Sequence, residues 1–311
     1  MGYTNLLTIA MPVYERKEFF LEALESAINQ TVKCEIIVVD NCSSHDYFEN
    51  ICKQKGITYY RNDTNIGMYA NCNRCFELAK TEYAMTLDDD DKLSPIYVES
   101  FLKAKELYPE LDVYFTNFVT FSPQGKLPHP HTLPFGYMGN GEKVIEYAIR
   151  YKLGFPVNSS SIKRSKFNGF YTKFKGSNDW LWIYTNADKF VFFGDSRILF
   201  EFREHANQDT RNNVVDYLIT LAYIYEMILK EKTVDSRLKQ KALSNAFWVL
   251  FKFKSLIEKG AVNKFIEEDN IFSNYLKNKI NSDWMIKIMF SSPRGIVNFT
   301  YKLLRKFGIT G

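Results

Sequence analysis

Along the first hundred residues the apolar positions change period, and the changes predict strands and helices in turn. Leu6-Leu7-Thr8-Ile9-Ala10 is an apolar run of strand length that ends at Pro12. Between Glu18 and Asn29 the apolar residues Phe19, Phe20, Ala23, Leu24, Ala27 and Ile28 recur at helical spacing. Glu35-Ile36-Ile37-Val38-Val39 is a β-branched run, the pattern of a strand covered on both faces. It stops at Asp40-Asn41-Cys42-Ser43-Ser44, a polar turn and helix cap. Ile57 to Tyr60 predicts a third strand, Met68 to Lys80 a helix, and Tyr83 to Leu87 a fourth strand. A helix from Pro95 to Glu106 and a strand from Val113 to Phe115 follow. Strand and helix in succession imply right-handed crossovers and an α/β fold with a doubly wound, mostly parallel sheet.

Beyond Phe115 the pattern loosens. Ser122 to Gly141 is rich in Pro, Gly and His and predicts a long surface loop. Ser159 to Ile162 predicts a strand, Asp179 to Ala187 a short helix, and Phe190 to Phe202 one or two strands. From Val214 strand signals cease. Val214 to Lys230, Ser236 to Lys259 and the tail from Trp284 predict long helices.

The 311 residues are 46% hydrophobic and 24% charged, a globular composition sufficient for one large domain or two modest ones. A net charge of +4 is too small to argue for a nucleic-acid partner. The five cysteines, Cys34, Cys42, Cys52, Cys72 and Cys75, are odd in number and form no disulfide framework, which fits a reducing cytoplasm. Cys72 and Cys75 have metal-like spacing but no second Cys/His pair to complete a zinc site. Met1 to Asn5 is short and polar, so no targeting signal is expected, and no apolar stretch approaches the ~20 residues of a membrane span.

Chemistry concentrates where the predicted strands end. Pro12-Val13-Tyr14 follows the first strand, Asp40 the second, and Asn65-Ile66-Gly67 the third. Asp88-Asp89-Asp90-Asp91 follows the fourth. In an open parallel sheet these tips share the edge where ligands bind. Four adjacent carboxylates repel one another unless a cation neutralises them, and hard oxygen ligands suit Mg²⁺ or Mn²⁺ and, through the metal, a diphosphate. The bland alternative is a solvated acidic turn, with an Asp as N-cap of the helix near Pro95.

Taken in order, Pro12-Val13-Tyr14, Val38-Val39-Asp40-Asn41-Cys42-Ser43, Asn65-Ile66-Gly67 and Leu87-Asp88-Asp89-Asp90-Asp91 resemble the signatures of family 2 glycosyltransferases. The resemblance runs from about Leu6 to Asn207 and implies a nucleotide-diphospho-sugar fold of the GT-A type. It implies a catalytic domain over 1–210, with a nucleotide-binding half over about 1–117 and an acceptor-binding half over about 118–210. A C-terminal helical region over 211–311 completes the chain. The activity implied is inverting transfer of a sugar from a nucleotide-diphosphate donor, most often a UDP-sugar. The acceptor would be a glycan or lipid-linked saccharide of a bacterial surface polysaccharide such as capsule or lipopolysaccharide.

The resemblance also implies roles. Tyr14 would stack on the base, with the turn backbone near Pro12 at the base edge and Asp40 accepting a base N–H. Asn65 joins this nucleotide-binding set. Asp88 and Asp89 would accept from ribose hydroxyls, and Asp90 would bind Mn²⁺ or Mg²⁺. In Ser177-Asn178-Asp179-Trp180, Asp179 would be the general base; otherwise it is a plain N-cap. In Phe202-Arg203-Glu204-His205, His205 would meet the metal or the diphosphate and Arg203 would offset phosphate charge.

Three departures from the family pattern stand out. Asn41 replaces a frequent second Asp, and Asn178 replaces a frequent Glu. Asn71-Cys72-Asn73 lacks the usual arginine near the third helix, for which Arg74 or Arg16 can substitute. A nucleotidyltransferase of related fold is disfavoured, because the first strand lacks a Gly-rich loop to hold a triphosphate. An inactive nucleotide-binding assembly subunit is disfavoured by the retained Asp179 and Asp90. Finally, Trp284 to Phe307 interleaves apolar residues with Lys287, Arg294, Lys302, Arg305 and Lys306 and has no acid after Asp283. Such a segment either packs on the catalytic domain or lies on an anionic membrane, at the inner face of the cell membrane.

Overall fold

Six strands of one sheet run the same way, so their C-terminal ends share one edge. The computed structural model describes residues 2–128, 134–139, 141–151, 157–172, 176–205, 214–231, 233–257, 263, 267 and 271–306. The first half contains β1 (Gly2–Val13), α1 (Phe20–Ile28), β2 (Val32–Asp40), α2 (Tyr47–Lys55), β3 (Thr58–Arg61), α3 (Met68–Leu78), β4 (Tyr83–Thr86), β5 (Lys92–Leu93) and α4 (Tyr97–Leu107). Then come β6 (Val113–Ser122), β7 (Gly125–Pro128), β8 (Gly136–Met138), α5 (Glu142–Tyr151), β9 (Ser161–Lys163), α6 (Asn178–Asn186) and β10 (Phe192–Arg203). The helices α7 (Val214–Glu231), α8 (Ser236–Leu256), α9 (Ile271–Ser282), α10 (Trp284–Ser291) and α11 (Arg294–Lys306) follow.

The sheet order is β3-β2-β1-β4-β9-β6-β10-β5, with β7 on β6 and β8 on β10. β1, β2, β3, β4, β6 and β10 are parallel to one another, and β9 is inserted antiparallel between β4 and β6. Side chains alternate across the sheet, as a period of two requires. Leu7, Ile9, Met11 and Val13 of β1 face a core with Phe20 of α1, Phe48 of α2 and Phe101 of α4. Ala10, Ile37 and Val39 face the other side, with Cys75 of α3. Each fully buried phenylalanine contributes about 1.5–3 kcal/mol. That burial, rather than helix propensity, holds the nine-residue α1 and α2, which would be marginal alone.

Several elements differ from their predicted extents. β1 continues through Pro12, which pairs with Val39 in register. Beyond Ala10 the β4 side carries no ladder, so the missing N–H of proline breaks none. The predicted loop from Ser122 contains β7 and β8, because β6 runs on to Ser122 and turns back as a hairpin; residues 129–133 and 140 lie outside the described residues. α5 and α9 are not among the predicted helices, although α5 places Val144, Ile145, Tyr147 and Ile149 on a buried face. None of the five cysteines forms a disulfide.

The chain divides into two compact units. The first comprises Met1–Tyr147, Gly154–Lys173 and Thr185–Ala206 and holds the whole sheet. The second comprises Ala148–Leu153, Phe174–Tyr184 and Asn207–Gly311. In it Lys279 of α9 pairs with Glu226 of α7 at 2.7 Å, and Phe290 of α10 stacks near Phe253 of α8 with ring centres 6.2 Å apart. None of the described helices is long and apolar enough to cross a membrane.

Candidate active site

At the sheet edge of the first unit, two polar clusters are joined by the turn after β1. One gathers at the tip of β2. Asp40 is fully buried, and both of its oxygens are engaged within the chain. Oδ1 accepts from the Ser43 backbone N–H at 2.9 Å and the Ser43 hydroxyl at 2.7 Å. Oδ2 accepts from the Tyr59 hydroxyl at 2.7 Å and Arg61 Nη1 at 3.3 Å. Asp40 is therefore the keystone of the turn and caps no helix; α2 begins only at Tyr47. Any further donor would have to displace one of these partners, of which the Arg61 contact is the longest. Asp40→Ala leaves the buried donors without their charged acceptor and is expected to cost roughly 2–3 kcal/mol, read as a shift in the urea midpoint of the ligand-free protein.

Asn41 explains one departure from the family pattern. Its Nδ2 donates to Asn65 Oδ1 at 2.8 Å, while its Oδ1 accepts from Asn62 Nδ2 at 3.2 Å and the Ile66 N–H at 2.9 Å. Asn62 also donates to Asn71 Oδ1 at 2.8 Å, and Asn71 donates to the Val39 carbonyl at 2.9 Å. Only an amide both donates and accepts in this way. The network ties β2 to the start of α3, where Asn65 Oδ1 also accepts the Gly67 N–H at 2.9 Å. Gly67 has φ 89° and ψ 158°, a conformation that costs other residues about 1–3 kcal/mol, which explains Asn-x-Gly at this tip. In Asn41→Asp a carboxylate faces Asn65 Oδ1 with no proton to share. We expect a loss of about 1–3 kcal/mol, seen as a lower melting temperature at neutral pH.

The second cluster is the acidic run. After β4 the chain turns through Asp88–Asp91 into β5, which pairs with β10. The bland reading of a solvated cap does not hold: Asp89, Asp90 and Asp91 are buried, and α4 starts at Tyr97 with no side-chain cap. Arg16 Nε donates to Asp89 Oδ1 at 3.1 Å, and Arg16 Nη2 lies 2.9 Å from Asp90 Oδ2. Asp90 Oδ2 is also 2.9 Å from His205 Nε2, which is 3.2 Å from Arg16 Nη1. Asp91 Oδ1 accepts the Arg203 backbone N–H at 2.8 Å, whereas its Oδ2 is buried with no hydrogen-bond partner among the described residues.

Electrostatics follow from this crowding. Burial pushes Asp89 up to about 6, against the pull of Arg16. Burial and the carboxylates of Asp90 and Asp88 raise Asp91 well above the usual range. Because Asp89 titrates higher in the fold than its ordinary 3.8, its contribution to stability is complete below that value and is lost as pH rises through about 6. Melting of the metal-free protein over that range is expected to show the decline, and added Mn²⁺ to offset it.

The donor set fits a hard divalent ion. Asp88, Asp90 and Asp91 each offer a carboxylate oxygen within 4.8 Å of the others, and the orphaned Asp91 Oδ2 is the kind of atom a cation would satisfy.

The predicted residues divide into those that the fold brings together and those that it does not. The acidic run, His205 and Arg203 meet. Arg203 serves as a brace: its guanidinium lies between the Phe19 and Phe121 rings at 4.4 and 4.3 Å, bonds the Asp90 carbonyl at 2.7 Å through Nε and pairs with Glu22. Tyr14 projects from the β1 tip, 45% exposed, with no ring partner among the described residues. Arg74 sits on α3 and pairs with Glu77 at 3.0 Å; Arg16, not Arg74, reaches the aspartates. Asp179 is the second residue of α6, after Ser177 with φ 53°, so it is not the cap; its side chain lies outside the described residues.

Sequence reasoning passed over Glu15, whose carboxylate accepts from the Ser44 N–H at 2.7 Å and the Ser44 hydroxyl at 2.8 Å. These bonds clasp the β1 turn to the β2 turn and hold the Glu15 carboxyl below its usual range. The charged pair Glu15-Arg16 just past a strand tip was the available signal.

Residues 8–168, a little over half of the chain, match glycosyl transferase family 2. The chain belongs to this family. Its fold is of the GT-A glycosyltransferase type, as the solved structures below agree. WcaA of Escherichia coli (strain K12), a glycosyl transferase named for colanic acid biosynthesis, is 30% identical over 168 residues, which are 49% of this chain and 60% of WcaA. Two further relatives are matched over 41% and 38% of their own lengths. The S. aureus TarS 1-349 structure in complex with UDP-GlcNAc superposes with a TM-score of 0.65 at 14% identity, covering 97% of this chain and 92% of that one. The mannosyltransferase PcManGT of Pyrobaculum calidifontis, in complex with GDP-Man and Mn²⁺, superposes with a TM-score of 0.54 at 12% identity, covering 96% and 86%. At such identities the likeness carries the fold alone.

Proposed function

We propose that this family 2 chain is an inverting, divalent-metal-dependent glycosyltransferase. It takes a sugar from a UDP-sugar and adds it to a glycan or lipid-linked saccharide of a bacterial surface polysaccharide. The observation that carries the reading is the buried acidic turn at the sheet edge, with Asp91 Oδ2 lacking a hydrogen-bond partner among the described residues and Arg16 and His205 gathered on Asp89 and Asp90. UDP-GlcNAc on TarS and GDP-Man with Mn²⁺ on PcManGT favour a nucleotide-sugar and Mn²⁺, with Mg²⁺ as the alternative ion.

In this reading the exposed Tyr14 ring stacks on the base, the turn at Pro12 and the Asn41–Asn65 network shape its slot, and Asp40 holds that slot rigid. Asp88 and Asp89 receive the ribose hydroxyls. Arg16, already beside Asp90, is well sited to turn toward a diphosphate. Asp90 with Asp88, Asp91 and His205 would hold a divalent ion, which when bound would supply charge stabilisation for the departing nucleotide. Asp179 takes the proton of the acceptor hydroxyl as its oxygen bonds to the anomeric carbon and the bond to the diphosphate oxygen breaks. One displacement from the opposite face inverts the centre.

The test is thermal stabilisation by UDP-sugars with Mn²⁺, with Mg²⁺, and with chelator. A donor at about 100 times its dissociation constant stabilises by ~2.7 kcal/mol. No shift with any nucleotide-sugar and either metal would sink the proposal. A shift that chelator leaves intact would remove the metal from it.

A further inference from the structure

The paired helices α10 and α11 in the second unit present two apolar faces, only one of which the unit buries. Ile286, Met289 and Phe290 of α10 and Val297 of α11 are buried, and Tyr301 of α11 packs on Phe251 of α8 with ring centres 5.7 Å apart. The other face is open to solvent. Trp284 is 71% exposed, Phe299 69%, Ile296 61% and Ile288 58%, with Met285 and Leu303 also exposed. Scattered apolar side chains on a surface need no explanation, but six on two consecutive helices do.

Charge selects the occupant. Lys287, Lys302, Arg305 and Lys306 on the same helices are exposed, and none pairs with a carboxylate among the described residues. Between residues 284 and 306 there is no Asp or Glu. Asp283, just before, is engaged as the N-cap of α10, accepting from the Met285 and Ile286 N–H groups at 2.9 and 3.2 Å. A second copy of this face would set like charges against like. An anionic lipid surface complements the cations, takes apolar side chains to a depth of about 5–10 Å and favours tryptophan at its headgroup boundary.

We propose that the α10–α11 face docks the chain on an anionic bilayer surface, lying in its interface without crossing it. This stands apart from the sugar-transfer reading: it uses other residues and another ligand. If both hold, the docked enzyme meets a lipid-linked acceptor at the plane where its headgroup lies.

The experiment is co-sedimentation of the full chain with phosphatidylcholine vesicles, with and without roughly one third phosphatidylglycerol. Binding is expected on the anionic vesicles, far less on pure phosphatidylcholine, with release at high salt. Each basic residue near such a surface changes partitioning about fivefold, so Lys302→Ala with Arg305→Ala should weaken binding roughly 25-fold. Phe299→Ser should weaken it at least about tenfold. These side chains are exposed, so melting should stay unchanged, which separates lost docking from lost fold. A blue shift of fluorescence on vesicles that disappears in Trp284→Phe would locate the contact. The proposal fails if the folded chain ignores anionic vesicles or if Phe299→Ser binds them as well as the parent. It also fails if the face proves to be buried in a self-association that the same variants abolish.

Discussion

Asp90→Asn is expected to lower the rate of sugar transfer by roughly 10²–10³ and to raise the Mn²⁺ concentration needed for half-maximal rate. Asp90 is where the acidic turn meets its partners, with Arg16 Nη2 and His205 Nε2 each 2.9 Å from the same oxygen. Asparagine keeps the size of the side chain and replaces an anionic oxygen ligand with a neutral amide. A metal ion contributes several kcal/mol to leaving-group stabilisation, and losing about 3–4 of them corresponds to the stated factor. The same change removes one of several repelling carboxylates, so the metal-free fold should melt no lower than wild type. Initial rates over a Mn²⁺ titration, with melts alongside, make the measurement. Wild-type rate and unchanged metal dependence would take Asp90 out of this role.

Asp179→Asn is expected to be as severe for the chemistry and silent for the donor. Removing a positioned general base costs roughly 10²–10⁴ in rate. The neighbour where many family members carry Glu is Asn178, so no adjacent carboxylate can take over. Asp179 falls in the second compact unit, whereas Asp40, Asn65 and the acidic turn belong to the first. The melting shift produced by a UDP-sugar with Mn²⁺ should therefore survive the substitution while turnover collapses. Turnover at the wild-type rate would move the base elsewhere and leave the nucleotide site intact. Loss of both binding and turnover would mark position 179 as structural.

The two substitutions test residues of very different visibility in the sequence. The acidic run declared itself because four like charges after an apolar strand run have few uses. Its inner arrangement did not. Asp91, part of the signature but given no role by it, is the most deeply buried of the four and carries the orphaned oxygen. Arg203, expected at a phosphate, is held between two phenylalanine rings and the Asp90 carbonyl, because β5 and β10 pair just below. Asn41 looked like a missing acid; with its neighbours in view it is an amide that an acid could not replace. Helices were legible in long apolar-rich stretches such as α1 and α7; α5 passed unseen although Val144, Ile145, Tyr147 and Ile149 mark its buried side, because it is short and directly follows a Pro- and Gly-rich stretch that reads as loop.

By itself the sequence determined the alternation of strand and helix, the parallel sheet with its polar tips, and the family to which the chain belongs. These are carried by short windows: a period of two or of 3.6, a β-branched run, a carboxylate where a strand must stop. Tertiary structure alone decided which tip residues face one another. Arg16 meets Asp89 from 73 positions away, and His205 meets Asp90 from 115. Strand order and crossover bring such residues within hydrogen-bond reach, and those are properties of the packed sheet that no local stretch of chain contains.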